Sequence, residues 1–559
     1  MSYMLRKYLP RIEFDSYEDF KENYTVRVPE DFNFGFDVVD GWAEAEPGKT
    51  ALVWCDDHGS ERRFTFNDIK AYSNRMCNYF KSIGIRKGDR VMLIMKRRYE
   101  YWMTVTALHK IGAVAIPATF QLTEKDLIYR VNAAGVKMIV CAHDENIINH
   151  VENSLAQCPS LQYRALIDGG REGWINYTEA YAAQSEIFQR PSGPDRVMCD
   201  DLMLMYFTSG TTGMPKMVQH VQSYPLGHIL TAKYWQQVED NGLHLTVADS
   251  GWAKFSWGKI YGQWIAGSAV LGYDMDKFDP HRLLQVIEKY KITTFCAPAT
   301  MYRFMIKEDI TKYDLSSIHH CCMAGEPLNP EVFRQWENLT GHKLYEGFGQ
   351  SEGPVLLANY AWIDPKPGST GKASPLFDIH IVDQNGKECE IGEEGELVIR
   401  GALKNRPVGL TIGYYHDDAA NEKLFAGGDF HTGDNAWYDE DGYIWFIGRK
   451  DDVIKCSGYR IGPFEVESAL MTHPAVLECA ITAAPDPVRG QVVKATIVLT
   501  RGYTASDELK KELQNHVKRI TAPYKYPRVV EFVEELPKTV SGKIRRAAIR
   551  EQTVQTPEK

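Results

Sequence analysis

What the chain lacks narrows its class. Its eleven cysteines are an odd set with no Cys-x-x-Cys pair, which argues against a disulfide framework and a structural metal site. Cys321 and Cys322 are adjacent in an apolar stretch and read as reduced core thiols. No run approaches the ~20 apolar residues needed to cross a bilayer, so no membrane span is expected. Basic residues are not in excess; the formal net charge of -10 disfavours a general nucleic-acid or acidic-membrane partner. Met1 to Tyr24 mixes Arg6, Lys7 and Arg11 with Glu13, Asp15, Glu18, Asp19 and Glu22, unlike a secretory signal or an acid-poor transit peptide. No internal repeat or low-complexity segment occurs. These absences lead to the expectation of a cytoplasmic protein, with self-association left open.

At 559 residues the chain exceeds the ~250–300 at which single cores stop growing, so two or more domains are expected. Short apolar runs at Ala51 to Trp54, Val91 to Met95, Val114 to Ile116 and Met138 to Val140 read as buried strands. Between them Phe66 to Ile83, Tyr99 to Ile111 and Thr123 to Ala134 read as helices. The alternation resumes with Leu283 to Tyr290 and Met301 to Ile306 as helices, and Thr293 to Ala297 and Ile318 to Met323 as strands. Such βαβ grammar implies largely parallel sheets. After Pro365, short strands at Asp378 to Val382, Glu396 to Arg400, Ala436 to Tyr438 and Tyr443 to Phe446 are divided by turn signals such as Asn385-Gly386 and Asp441-Gly442. They predict a small antiparallel, barrel-like unit. Beyond Lys450, helices at Pro463 to Met471 and Ser506 to Lys518 join strands at Val476 to Ala483, Val492 to Leu499 and Val529 to Val533 in a compact α+β unit. The expected organisation is a large α/β domain, 1–450, and a small α+β domain, 451–559.

The chain is organised around Tyr206 to Met217, an apolar strand running into Thr208, Ser209, Gly210, Thr211, Thr212, Gly213 and, past Pro215, Lys216. Glycines allow close approach to an anion, the hydroxyls donate, and the lysine adds charge. On composition alone a solvated loop is an equal reading. A Walker loop is refused, because Pro215 precedes the lysine and no Ser or Thr follows it for magnesium.

The stretch resembles the signature loop of the acyl-adenylate-forming enzymes, among them acyl-CoA synthetases, and further stretches in the same order strengthen the resemblance. Ala324-Gly325-Glu326-Pro327 matches the segment that lays adenine against backbone. In Tyr345-Glu346-Gly347-Phe348-Gly349-Gln350-Ser351-Glu352 the resemblance implies adenine packing on Phe348, a hydroxyl near the α-phosphate from Ser351, and Glu352 as the acidic magnesium ligand. Asp434 matches the residue accepting both ribose hydroxyls, Arg449 a second nucleotide contact, and Asp451 the hinge between large and small domains. Lys543, in Pro537 to Arg546, matches the C-terminal catalytic lysine; read blind, that cluster is a solvated basic tail.

The resemblance is closest to medium-chain acyl-CoA synthetases. It implies catalysis by Lys543, Glu352 and Lys216, with ATP, Mg2+, coenzyme A and a carboxylic acid as the small-molecule partners. Ser457-Gly458-Tyr459-Arg460 matches the pantetheine hairpin, and Arg489 and Arg528 join Arg460 as candidates for coenzyme A phosphates. The acyl pocket is expected at Trp235, Trp252, Lys254, Trp257, Cys296 and Gly349, each equally readable as core packing. Lys254, a cation among tryptophans, must either reach solvent or be paired. Acetate-specific relatives carry tryptophan where Gly349 stands, which points to a longer acyl chain. The expected activity is an AMP-forming acyl-CoA synthetase for medium or branched short acids, with an aryl-CoA ligase as runner-up. An ATPase and a catalytically idle nucleotide-binding module are the rivals from other classes.

Overall fold

The computed structural model describes residues 3–208, 214–456, 459–487, 489–538 and 544–555. Among them, one nine-stranded sheet runs in the order Lys372–Ala373, Leu357–Ala358, Leu344–Phe348, His320–Ala324, Thr294–Ala297, Leu243–Thr246, Ala269–Asp274, Thr50–Asp56 and Glu61–Thr65. A seven-stranded sheet runs Ile175–Asn176, Tyr163–Leu166, Met138–Cys141, Arg90–Ile94, Val114–Pro117, Leu202–Thr208 and Lys216–Val221. Their interiors are parallel and antiparallel pairing is confined to edges. This agrees with the βαβ alternation in the sequence.

Side-chain alternation divides each interior strand between two cores. Val91 and Leu93 face the large core shared by both sheets, whereas Met92 and Ile94 face the outer helices of the seven-stranded sheet. Cys296 and Cys322 likewise face the shared core, while Phe295 and Cys321 face the outer helices of the nine-stranded sheet. The helices begin where local chemistry directs. Thr65 and Thr123 each accept an amide hydrogen bond from an aspartate three residues on, whose carboxylate bonds back, which places the helix starts at Phe66 and Glu124.

The region after Pro365 is a four-stranded antiparallel sheet: Ile379–Val382, Gly395–Ile399, Phe430–Tyr438 and Ile444–Arg449. Its last two strands differ from the expected Ala436 to Tyr438 and Tyr443 to Phe446. Glycines at 433 and 448 lie inside the ladder, so both strands extend through positions that read as loop. The C-terminal part is a five-stranded sheet built on Val476–Asp486 and Gly490–Leu499 with helices Pro463–Met471 and Asp507–Ile520. A final helix, Arg546–Gln555, begins where the Pro537 to Arg546 basic cluster ends and was not anticipated. Two amino-terminal helices, Leu5–Tyr8 and Tyr17–Asn23, were also without a periodic signal.

One buried polar group ties the inner helices together. Lys110 is fully buried, and its ammonium donates to Asp40 (2.7 Å) and to the Asn74 amide oxygen (2.8 Å). Burial pushes the Asp40 carboxyl up, and the Lys110 charge opposes it. Lys110→Met would strand that carboxylate and is expected to cost ~3–5 kcal/mol in denaturant unfolding. Lys110→Met with Asp40→Leu should recover much of the loss.

Candidate active site

Three of the motifs begin at the C-terminal ends of strands of the two large sheets, at Thr208, Ala324 and Phe348, where ligands bind in open α/β sheets. Thr208 ends one strand and pairs antiparallel with Lys216, which begins the next. Ser209, Gly210, Thr211, Thr212 and Gly213 lie outside the described residues. Lys216 projects its ammonium over the ring of Tyr414, 4.6 Å from the centroid. The Tyr414 hydroxyl donates to Glu352 Oε1 at 2.9 Å. Burial and then the nearby carboxylate push the phenol well above its ordinary value, so it stays protonated and remains a donor.

Nothing in the motifs singled out Tyr414, yet the backbone invests heavily in it. Asn421 accepts from the Tyr414 amide (2.7 Å) and donates to its carbonyl (2.8 Å), while the Thr411 amide donates to the Glu352 carbonyl (2.7 Å). Gly413 adopts φ 114, and a Cβ there would press on the Asn421 amide. The signal in hindsight is Gly413-Tyr414 ahead of a helix containing a buried-side Asn. His220 was missed too. Its Nε2 lies 2.7 Å from the Ser351 carbonyl, which can only accept, so Nε2 carries the proton. Burial pulls its pKa down to about 4, and the ring is neutral.

A second cluster lies on the strands Phe430–Tyr438 and Ile444–Arg449. Asp434 is buried and registers opposite Arg449, whose guanidinium lies 3.6 Å from its carboxylate. The Gln350 amide donates to the Asp434 carboxylate and to the Thr432 carbonyl (2.8 Å). Phe348 faces Phe446 at 5.5 Å. Gly325, at φ 105, follows Ala324, whose carbonyl accepts from Lys254 Nζ at 2.6 Å. Lys254 is thus paired rather than extended to solvent. Glu326 does not face this cluster: its carboxylate accepts from the Thr300 amide (2.5 Å) and hydroxyl (3.0 Å), at the start of helix Ala299–Met305. Pro327 follows it in the turn.

The expected acyl residues are brought together in part. Trp235 and Trp257 meet edge-to-face at 6.2 Å. A Cβ on Gly347 would collide with the Trp235 indole, and one on Gly349 with the Trp257 indole. Gly349 therefore does not open free space, as the comparison with acetate-specific enzymes suggested; the Trp257 ring already fills it. Cys296 is buried beneath, its thiol raised by burial but drawn below the ordinary value by a hydrogen bond from Cys322 and the Lys254 charge. Trp252 stands half-exposed at the N-cap of helix Ala253–Gly258, and the contacts joining the other two indoles do not include it.

On the C-terminal unit, Ser457, Gly458 and Lys543 lie outside the described residues. Tyr459 stacks on Tyr524 at 4.2 Å, a partner the sequence reading overlooked. Arg460 registers opposite Lys455, and Cys456 opposite Gly490 sets that hairpin beside Arg489. The Arg528 guanidinium lies over Tyr526 at 4.8 Å. Lys538 pairs with Ile544, and its ammonium donates to Glu478 at 2.8 Å. Arg546 bonds Glu467 (2.7 Å), and Arg550 reaches Asp452, the buried neighbour of exposed Asp451.

Comparison with known proteins places this geometry. Residues 39–415 match the model described as AMP-binding enzyme, and residues 465–543 match its C-terminal domain. The chain belongs to the AMP-binding enzyme family. This AMP-binding enzyme is 41% identical to mouse mitochondrial acyl-coenzyme A synthetase ACSM3 over 551 residues, covering 96% of this chain and 93% of the relative. It is 43% identical to human mitochondrial ACSM5 over 536 residues, covering 94% and 91%. The crystal structure of the anthranilate CoA ligase AuaEII with anthranoyl-AMP superposes with TM-score 0.86 at 27% identity, covering 94% of this chain and 98% of that one. The enzyme is accordingly an AMP-forming acyl-CoA synthetase. The mitochondrial relatives overturn the cytoplasmic expectation. Reduced thiols report a reducing compartment without saying which one.

Two measurements check the site. Tyr414→Phe deletes the donor to Glu352 while keeping the ring under Lys216. A lost hydrogen bond to a charged acceptor is worth ~1.5–3 kcal/mol, so kcat/KM for ATP should fall by roughly one to two orders of magnitude. Tyr414→Leu should fall further. Glu346 is buried with Oε2 unpartnered, and desolvation pushes its pKa up to about 8 against a hydrogen bond from the Leu328 backbone. A raised carboxyl pKa means the fold prefers the neutral acid. Stability is then lost as pH climbs from the ordinary carboxylate value towards 8. Glu346→Gln should therefore be progressively more stable than the parent across that window and gain nothing below it; a constant difference in melting temperature would contradict the assignment.

Proposed function

We propose that this synthetase activates a medium-chain or branched short-chain carboxylic acid as its acyl-adenylate and passes the acyl group to coenzyme A, with Mg2+ assisting the first step. The observation that carries the reading is the linked set Lys216, Tyr414 and Glu352 beside Gln350, Asp434 and Arg449. One part would suit a polyphosphate and its metal, the other a ribose.

The metal fits the residues present. Glu352 offers a carboxylate steadied through one oxygen, and no group of three or more His, Cys, Asp or Glu among the described residues could hold an ion by itself. Magnesium is characteristically held by one or two carboxylates together with substrate phosphates. When bound there it would neutralise charge on the phosphates. Lys216 would meet the same phosphates, Ser351 the α-phosphate, and Asp434, oriented by Gln350, both ribose hydroxyls. Gly325 and Phe348 would bracket the adenine, with the backbone of Gly347 beside them.

The rest of the assignment follows the motif positions. Residues 209–213 would cradle phosphate, and Lys543 would neutralise charge on the carboxylate and α-phosphate as they meet. Residues 1–450 and 451–559 would move against each other about Asp451. In that motion Lys543 gives way to Ser457, Gly458, Tyr459 and Arg460, which guide the pantetheine arm, with Arg489 and Arg528 near the coenzyme A phosphates. Trp235, Trp252, Trp257, Lys254, Cys296 and Gly349 would surround the acyl group. An aryl acid is the second reading, favoured by the flat indole walls and by the anthranilate ligase likeness.

Incubation with ATP, Mg2+, coenzyme A and a panel of acids should release AMP and pyrophosphate. ADP and phosphate would indicate an ATPase, and no products an idle module. Each buried methylene contributes ~0.8 kcal/mol, so kcat/KM should climb roughly fourfold per methylene until the chain meets the indoles, then drop. Benzoate outrunning every aliphatic acid would select the aryl reading. Lys543→Ala should abolish adenylate formation yet still convert supplied acyl-adenylate to thioester; equal loss in both half-reactions would remove Lys543 from its role.

A further inference from the structure

The family match begins at residue 39, yet several side chains before it are deeply buried. Met4 and Phe20 are wholly buried, and Phe14 and Tyr24 nearly so. This amino-terminal strap converges on one side chain. Tyr234 packs against Phe20 at 4.7 Å, Tyr24 at 5.5 Å and Phe14 at 5.8 Å, and its hydroxyl donates to the Ile12 carbonyl at 2.8 Å. Tyr234 is the neighbour of Trp235 on a π-helical turn, Leu230–Trp235, a geometry that recurs at functional sites.

The two adjacent rings face opposite ways. Tyr234 is held by the strap, while Trp235 lies against Gly347, donates from Nε1 to the Tyr345 carbonyl (3.0 Å) and meets Trp257. The strap also bonds to the edge of the sheet that contains Gly347. Trp362 Nε1 donates to the Phe14 carbonyl (3.1 Å), and the Tyr17 hydroxyl donates to the Ala373 carbonyl (2.8 Å). Ala373 ends the edge strand Lys372–Ala373, two strands out from Leu344–Phe348. The strap thus meets both the residue next to Trp235 and the edge of the sheet against which Trp235 packs.

We propose that the amino-terminal strap sets acyl-chain preference, with Tyr234 as the positioning residue that fixes where the Trp235 indole stands. The proposal rests on the reading of Trp235 as an acyl-pocket wall. Interiors are close-packed, and neighbours relax partway into the space a changed ring gives up, so a change at Tyr234 is felt at Trp235. Changes at Tyr234 or Phe20 should then appear at the acyl chain, not at the nucleotide.

The test uses the full chain with Tyr234→Phe, which keeps the ring and loses the bond to Ile12, Phe20→Leu, which thins the aromatic packing, and Trp235→Phe as reference. The readouts are kcat/KM for butyrate, hexanoate and octanoate, KM for ATP, and the melting temperature. The expected result is an octanoate-to-butyrate ratio moved by about three- to tenfold in both strap variants, as for residues coupled through contact, with KM for ATP little changed. Tyr234→Phe and Trp235→Phe should be non-additive when combined. If Trp235→Phe moves the ratio and the strap variants only lower the melting temperature or weaken all acids alike, the proposal falls and the acyl reading stands. If Trp235→Phe leaves the ratio unmoved, both fall.

Discussion

A carboxylate and a polyphosphate repel each other, and the structure is arranged around overcoming that repulsion. At the effective dielectric of a protein surface, two unit charges ~4 Å apart are worth ~4 kcal/mol, so a few well-placed cations and donors decide whether the groups can meet. Here the acidic groups that would touch nucleotide or metal are already restrained by neutral donors: Glu352 by the Tyr414 hydroxyl and Asp434 by the Gln350 amide. Their oxygens are aimed before anything binds, which lowers the reorganisation needed at the moment of reaction. The parallel sheets make this arrangement available because strands distant in sequence end at one edge.

The same requirement explains the site's buried polar groups. A hydroxyl, imidazole or ammonium withdrawn from water costs free energy unless it is bonded. His220 Nε2 on the Ser351 carbonyl and Lys254 Nζ on the Ala324 carbonyl meet that need at those nitrogens while fixing backbone at the two segments read as adenine and phosphate contacts. Satisfying a buried group and shaping the site are here one interaction.

Much of this was legible in the residues, and what was not shares one cause. Strands and helices with strong periodicity, such as Val91 to Met95 and Thr123 to Ala134, appear where expected because both hydrophobic pattern and capping chemistry are local. Motif positions such as Gln350 and Asp434 converge because the turn after strand Leu344–Phe348 meets strand Phe430–Tyr438 of the antiparallel sheet. Tyr414, His220 and Tyr234 escaped notice because their roles exist only through partners 62, 131 and 222 residues away. The amino-terminal strap was opaque for the same reason, its aromatic residues lacking a helical or strand period while packing on rings that arrive from elsewhere. Gly349 was read from side-chain volume at one position, whereas the space belongs jointly to Gly349 and Trp257.

That shared volume points to how one strand end divides the site. Along Gly347, Phe348 and Gly349, alternation puts positions i and i+2 on one face and i+1 on the other. Both glycines lie against indoles, Gly347 under Trp235 and Gly349 under Trp257, and Phe348 faces Phe446 on the opposite side, beside Asp434 and Arg449. One extended segment is thereby a partition, with an indole-walled compartment on one face and an aromatic, carboxylate-bearing one on the other. Only glycine at both flanking positions lets the indoles close on the backbone, so their volume is transferred from the strand to residues 235 and 257. A side chain added to the strand would have to displace an indole, and the compartment's depth is governed by whatever holds those two rings in place.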